Sequence, residues 1–161
     1  AYQNILQLFR QSTRHNLFDV CGLKENSPFQ IDGNLGGPTS FIEMLLQSHA
    51  SQPLADAQQL PVNVIRFVPA LPKAWPSGSY RGLRARGGLA VDLAWKNAQA
   101  VSATLHASIT RGHTLAAPNG QHIAAITAAS KNVPFTTNPD QTVSFHAKAG
   151  AHYKVVFAWS E

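Results

Sequence analysis

A chain of 161 residues, 44% hydrophobic and 13% charged, has the length of one ordinary domain, or of a compact domain plus part of another, with enough apolar material to bury a core. Its net charge of +5 is spread along the chain, with only Arg81, Arg84 and Arg86 close together, so no nucleic-acid partner is expected; no apolar run approaches the roughly 20 residues that span a bilayer, so no membrane role is expected either. The single Cys21 excludes an intramolecular disulfide and leaves the compartment open.

The chain starts without an initiator Met or a signal-like apolar core and reads as entered in mid-helix: Tyr2, Ile5, Leu6 and Phe9 recur at helical spacing and give one apolar face to a short helix. From His15 to Gly37 the sequence is rich in Asn, Gly and Pro, the composition of an ordered loop. The next helix is predicted to start between Pro38 and Ser40, because Pro suits the first helical position and Ser40-Phe41-Ile42-Glu43 has the form of a capping box. Phe41, Met44 and Leu45 then make its buried face, with Leu46 at the margin, and Gln52-Pro53 should stop it.

After about residue 60 the period changes from 3.6 to 2. Leu89, Val91, Leu93 and Trp95 alternate with Ala90, Asp92, Ala94 and Lys96, and Val101, Ala103, Leu105, Ala107 and Ile109 alternate with polar residues, so two strands are predicted to form a hairpin across Lys96 to Gln99. A second hairpin is predicted near the end, with Val143, Phe145 and Ala147 leading through Ala149-Gly150 into Tyr153, Val155, Phe157 and Trp159. Weaker strand signals lie in Val62 to Val68, Tyr80 to Arg86 and Gln121 to Thr127, which suits an antiparallel sandwich. The boundary between the helical part and the β part is placed within Ser51 to Pro61, giving segments 1–59 and 60–161.

Asn16-Leu17-Phe18-Asp19 followed by Pro28-Phe29-Gln30-Ile31-Asp32-Gly33-Asn34-Leu35-Gly36 resembles the loop of family 95 glycoside hydrolases, the 1,2-α-L-fucosidase type, that brings a catalytic aspartate into the sugar site. Leu45-Leu46-Gln47-Ser48-His49, Pro69-Ala70-Leu71-Pro72-Lys73-Ala74-Trp75-Pro76 and Gly82-Leu83-Arg84-Ala85-Arg86-Gly87-Gly88 resemble the same family in the same order. The chain departs from it at Cys21-Gly22-Leu23-Lys24-Glu25-Asn26-Ser27-Pro28, where members commonly carry His-Pro-Pro. The resemblance implies a C-terminal fragment: the end of an (α/α)6 barrel followed by an antiparallel β-sandwich C-terminal domain. The implied reaction is hydrolysis of a terminal 1,2-linked α-L-fucose with inversion, which needs one carboxylic acid to protonate the leaving oxygen and one carboxylate to activate water on the other face of the sugar. Asp32 matches the family's base. The family's general acid, a Glu, and the Asn side chains that assist the base lie upstream, so the expected partners are a fucosylated glycan and the missing N-terminal barrel portion, and the chain alone is expected to be inactive. An α-L-galactosidase of the same family and a non-catalytic carbohydrate-binding or structural β module are the alternatives.

On local composition alone Asp32-Gly33-Asn34 would be a turn, and Gln30 and Asn34, the substrate-binding candidates, serve equally well to hold the loop in shape. Glu43 is explained as a cap partner, Glu25 as a solvated charge, and Asp19 either as support for the site or, more simply, as a loop-closing Asx bond. Arg84 and Arg86 suit an anionic group, but a structural role holding the β domain is the plainer reading. No cofactor is expected, and the seven His show no tight ligand spacing, so no metal is expected either. Trp95 and Trp159 belong by alternation to the core, whereas Trp75, in a Pro-rich loop, is expected to be exposed or at a domain interface.

Overall fold

A computed structural model describes residues 2–22, 24, 26–51 and 62–160, which fall into two compact units that part between Met44 and Leu45. The expected junction at residues 59 and 60 lies outside the described residues, as do Glu25 and Gln52-Pro53.

The first unit holds helix α1 (Tyr2–Gln11), a long loop, and helix α2 (Ile31–Leu45). Ile5 is buried on α1, as the spacing requires. Gly37 leaves the surface of α2 low enough for Leu8 and Phe9 to come within van der Waals reach, and Phe9 stacks on Phe41 at 5.6 Å. The predicted start of α2 is too late by about two turns: the helix begins at Ile31, and Pro38 lies inside it. Ser40 is therefore no cap. Its hydroxyl donates to Gly36 O at 2.9 Å, and that of Thr39 to Leu35 O at 2.8 Å, the back-bonding that Ser and Thr adopt within helices. An interior Pro removes one hydrogen bond and costs about 3 kcal/mol in an exposed helix, so the early start must be held from outside. The loop supplies that hold. Gln30 N donates to Asp19 O, and Asn34, one turn into the helix, is bonded to Leu17 and Asp19.

The second unit is two β-sheets enclosing one core. Its smaller sheet contains β1 (Leu46–Gln47), β2 (Val64–Phe67), β6 (Arg111–Ala116), β9 (Thr136–Thr137) and β10 (Val143–Ala147), in the order β1-β2-β6-β10-β9. The larger is β3 (Gly78–Ala85), β4 (Leu89–Lys96), β5 (Gln99–Ala107), β11 (His152–Trp159), β7 (Gln121–Ala128) and β8 (Lys131–Asn132), in that order. Phe67 of the smaller sheet meets Phe157 of the larger edge-on at 5.5 Å, and Phe145 meets Tyr153 at 5.2 Å. Ile65, Leu89, Leu105, Leu115 and Val155 are wholly shielded between the sheets, each side chain contributing about 1.5–3 kcal/mol of burial. Among the described residues the sandwich is antiparallel save for one pair: β2 runs parallel to β6.

The predicted β4–β5 hairpin is present, with Asn97 and Ala98 both at positive φ in its two-residue turn, the backbone a type I′ connection demands. Its alternation breaks once. Trp95 faces Ala100 and Ala94 faces Ser102, so Val101 is the extra residue of a bulge and is 58% exposed, while Ala100 takes the core position. The predicted terminal hairpin is absent. β10 pairs with β6 and β9, and β11 with β5 and β7, so Ala149-Gly150 carries the chain from one sheet to the other. Two alternating strands joined by a short turn read alike whether they pair or cross over, because both have one buried face.

Trp95 is buried, and its indole N–H donates to Trp75 O at 2.9 Å. Trp75 is itself half-buried against the same core rather than exposed. Trp159 departs from its expected core place and is 59% exposed, because β5 pairs with β11 only as far as Val156 and a bulge at Val156/Phe157 shifts the register beyond it.

Candidate functional site

The loop from Ser12 to Gln30 folds back twice on itself. Thr13 bridges to Asp19 and Val20 to Phe29, and the Arg14 and Phe18 backbones close the tip between them. Asp19 is buried at its centre, with Oδ1 accepting the Thr13 hydroxyl. Gly33 packs directly over this carboxylate: a Cβ there would lie 3.0 Å from Asp19 Cβ and 3.2 Å from Oδ2, so the first turn of α2 can approach Asp19 only because residue 33 has no side chain. Of the two readings for Asp19, closure of the loop is the one its contacts describe.

Asp32 stands in the first turn of α2 and is exposed. Gln30 Nε2 donates to its Oδ2 at 2.9 Å, which ties the carboxylate to the residue two positions before it. Helix N-termini present unpaired N–H groups and a positive dipole end, a setting that favours a negative charge. Asn34 points the other way. Its Oδ1 accepts Asp19 N at 2.8 Å and its Nδ2 donates to Leu17 O at 2.7 Å, so both ends of the amide are engaged in joining loop to helix. The structure thus brings Gln30 and Asp32 together and turns Asn34 into the loop.

Around this turn the surface is unusually apolar. Leu17, Phe18, Phe29, Ile31 and Leu35 are each half or more exposed, and Phe18 and Phe29 pair at 4.8 Å. Apolar side chains clustered so on a surface mark a face that meets another surface or a ligand. Glu43 lies in the last turn of α2 and not at a cap.

In the β unit, Arg84 and Arg86 are exposed, and Arg86 is engaged through its backbone, whose N–H donates to Ser48 Oγ at 3.0 Å. Among the described residues no three His, Cys, Asp or Glu side chains are placed to hold a metal ion. One polar pair went unnoticed in the sequence. His106 Nε2 lies 2.9 Å from Asp92 Oδ2, with His152 edge-on to His106 at 4.5 Å. That hydrogen bond, with a second from Gly82 N, holds the Asp92 carboxyl below its usual range. Both residues sit on the polar face of the alternating pattern, but only the hairpin register, which sets Asp92 opposite Thr104 and Ala90 opposite His106, makes them diagonal neighbours.

Residues 59–155 match the family model described as Glycoside hydrolase family 95, C-terminal domain. The chain is 33% identical over 101 residues to a protein named probable alpha-fucosidase A of Aspergillus niger, covering 63% of this chain and 12% of that one. It is 41% identical over 69 residues to alpha-L-fucosidase 2 of Arabidopsis thaliana, 42% of this chain and 7% of that one, and 40% identical over 68 residues to probable alpha-fucosidase A of Aspergillus oryzae, 42% and 9%. The matched stretch is thus a small part of each relative's length. The family match falls within the β part, and Asp32 stands upstream of it.

Proposed function

The chain belongs to glycoside hydrolase family 95, and from that membership we propose that it is the C-terminal part of an inverting exo-glycosidase that removes terminal 1,2-linked α-L-fucosyl residues from glycans, with Asp32 as the base. The observation that supports this reading is the pose of Asp32: exposed, oriented by Gln30, and at the start of a helix held rigid through Asn34 and the buried Asp19. A base must be free to meet water and held in direction, and the exposure of this carboxylate and its hydrogen bond from Gln30 support such a role. Inversion then follows a single displacement. Asp32 takes a proton from water as its oxygen attacks the anomeric carbon, while an acid on the opposite side protonates the departing oxygen.

The acid comes from elsewhere in the parent polypeptide, so the 161-residue chain alone is inactive on this reading. The apolar side chains about Asp32 are then the surface on which the remainder of a helical barrel closes. NMR during the first turnovers of the parent enzyme on 2′-fucosyllactose tests the mechanism. β-L-fucose is expected to appear first; initial release of the α anomer would rule out Asp32 as an inverting base, and hydrolysis by the isolated chain would refute its dependence on an upstream acid.

A further inference from the structure

On the outer face of the smaller sheet, β6, β10 and β9 present one row of small residues. Gly112 lies opposite His146, and Ser144 lies opposite Thr136, on the face away from the core residue Leu115. These residues floor an open groove of about 480 Å3, walled by Pro134 and Phe135. A second hollow of about 440 Å3 adjoins it, sharing Pro134 and His146 and adding Lys131 and Lys148. Each volume falls in the roughly 300–1,000 Å3 range of ligand sites.

Glycine within a strand weakens it, and is found where a backbone or a ligand must come close. Among the described residues no backbone lies so close to Gly112: a Cβ added there would meet nothing within 4 Å. The floor beside it is fixed. Asn138 Nδ2 donates to both Ser144 Oγ and Thr142 Oγ1 at 2.9 Å, and Thr142 is bonded in turn to Asp140 Oδ1. A hydroxyl held in place, that of Ser144, near an aromatic ring suits a sugar, whose C–H face packs on the ring while its hydroxyls bond to the floor. The charge is one-sided. Among the described residues no carboxylate lines either hollow, whereas Lys131 and Lys148 line the second.

We infer that this double groove binds an acidic oligosaccharide, one sugar ring over Gly112 beside Phe135 and a sugar carboxylate toward Lys131 and Lys148. The site is separate from Asp32 and stands whether or not the chain acts on fucosides.

Titration of the 15N-labelled chain with tetragalacturonate, read by NMR, tests this. Saturable shifts are expected at Gly112, Ser144, Thr136 and His146 at millimolar ligand, with maltotetraose producing far weaker ones. Gly112→Leu fills the groove without backbone strain and is expected to weaken binding at least tenfold; the double change Lys131→Gln and Lys148→Gln should do the same while leaving the fold unaltered by circular dichroism. Absence of saturable shifts in the unmodified chain would overturn the inference, as would equal response to maltotetraose. So would a single-stranded DNA oligomer that shifts the same amides and is indifferent to Gly112→Leu, because that pattern means attraction by charge alone.

Discussion

Replacing Asn34 by alanine separates a residue that binds sugar from one that builds the loop. The side chain makes two hydrogen bonds, accepting Asp19 N at 2.8 Å and donating to Leu17 O at 2.7 Å. At about 1 kcal/mol each their loss costs about 2 kcal/mol, from which the better helix propensity of alanine takes back roughly 0.6. The net, about 1.4 kcal/mol, is a tenfold change in the local opening equilibrium. Amide hydrogen exchange reads this directly, because the Asp19 N–H is itself one of the two donors. That amide, with those of α2's first turn, is expected to exchange about tenfold faster, while amides of β4 and β5 serve as an unchanged reference. Exchange at Asp19 altered by less than twofold would refute the loop role, and a parent enzyme that then lost only affinity for substrate would return Asn34 to the sugar.

Three further perturbations probe the sandwich. Gly78→Ala should destabilise the β unit by about 1–3 kcal/mol, since the new methyl would lie 2.4 Å from a ring carbon of the buried Trp95; a melting temperature equal to the parent's would contradict that packing. Ala98→Gly should stabilise it by up to about 1 kcal/mol, because the exposed Ala98 holds φ at 60° and loses no contact when its methyl goes; a lower melting temperature would count against a strained turn. Burial, helped by Arg111, lowers His113 from its ordinary 6.5 to about 4. The unfolded chain therefore takes up a proton that the folded one refuses, and stability should fall as pH drops from about 6.5 toward about 4, a dependence that His113→Phe should flatten in pH-dependent denaturation.

The strands of the larger sheet were legible because period-2 burial is a local pattern: Leu89, Val91, Leu93 and Trp95 read inward in the sequence and are inward in the fold. Partner choice was not. Ala149-Gly150 looks like a hairpin turn, and only the core shared by two sheets decides that β10 and β11 part there. β6 escaped notice because Arg111 to Ala116 is buried along four successive residues, so no alternation marks it. The helix start was misread for a related reason. Pro38 and Ser40 carry the local signals of an N-terminus, yet contacts with Asp19, far off in the loop, set the first turn at Ile31. At the candidate site the motif placed Asp32 and Gln30 side by side, two residues apart, but which way Asn34 turns depends on a partner 17 residues away. The groove over Gly112 had no sequence signal at all, since its lining comes together only through strand register.

Asp32→Asn in the parent enzyme tests most directly the proposal that Asp32 removes the proton from the attacking water. Asparagine keeps the shape and can still bond to Gln30, so the loop and the first turn of α2 should remain as they are. What it cannot do is accept the proton. Steady-state kinetics on a 1,2-linked α-L-fucoside should show kcat reduced by about 100- to 10,000-fold with KM little changed, as for removal of a general base. Retention of most of the turnover would mean that the carboxylate shapes a turn and takes no part in the chemistry.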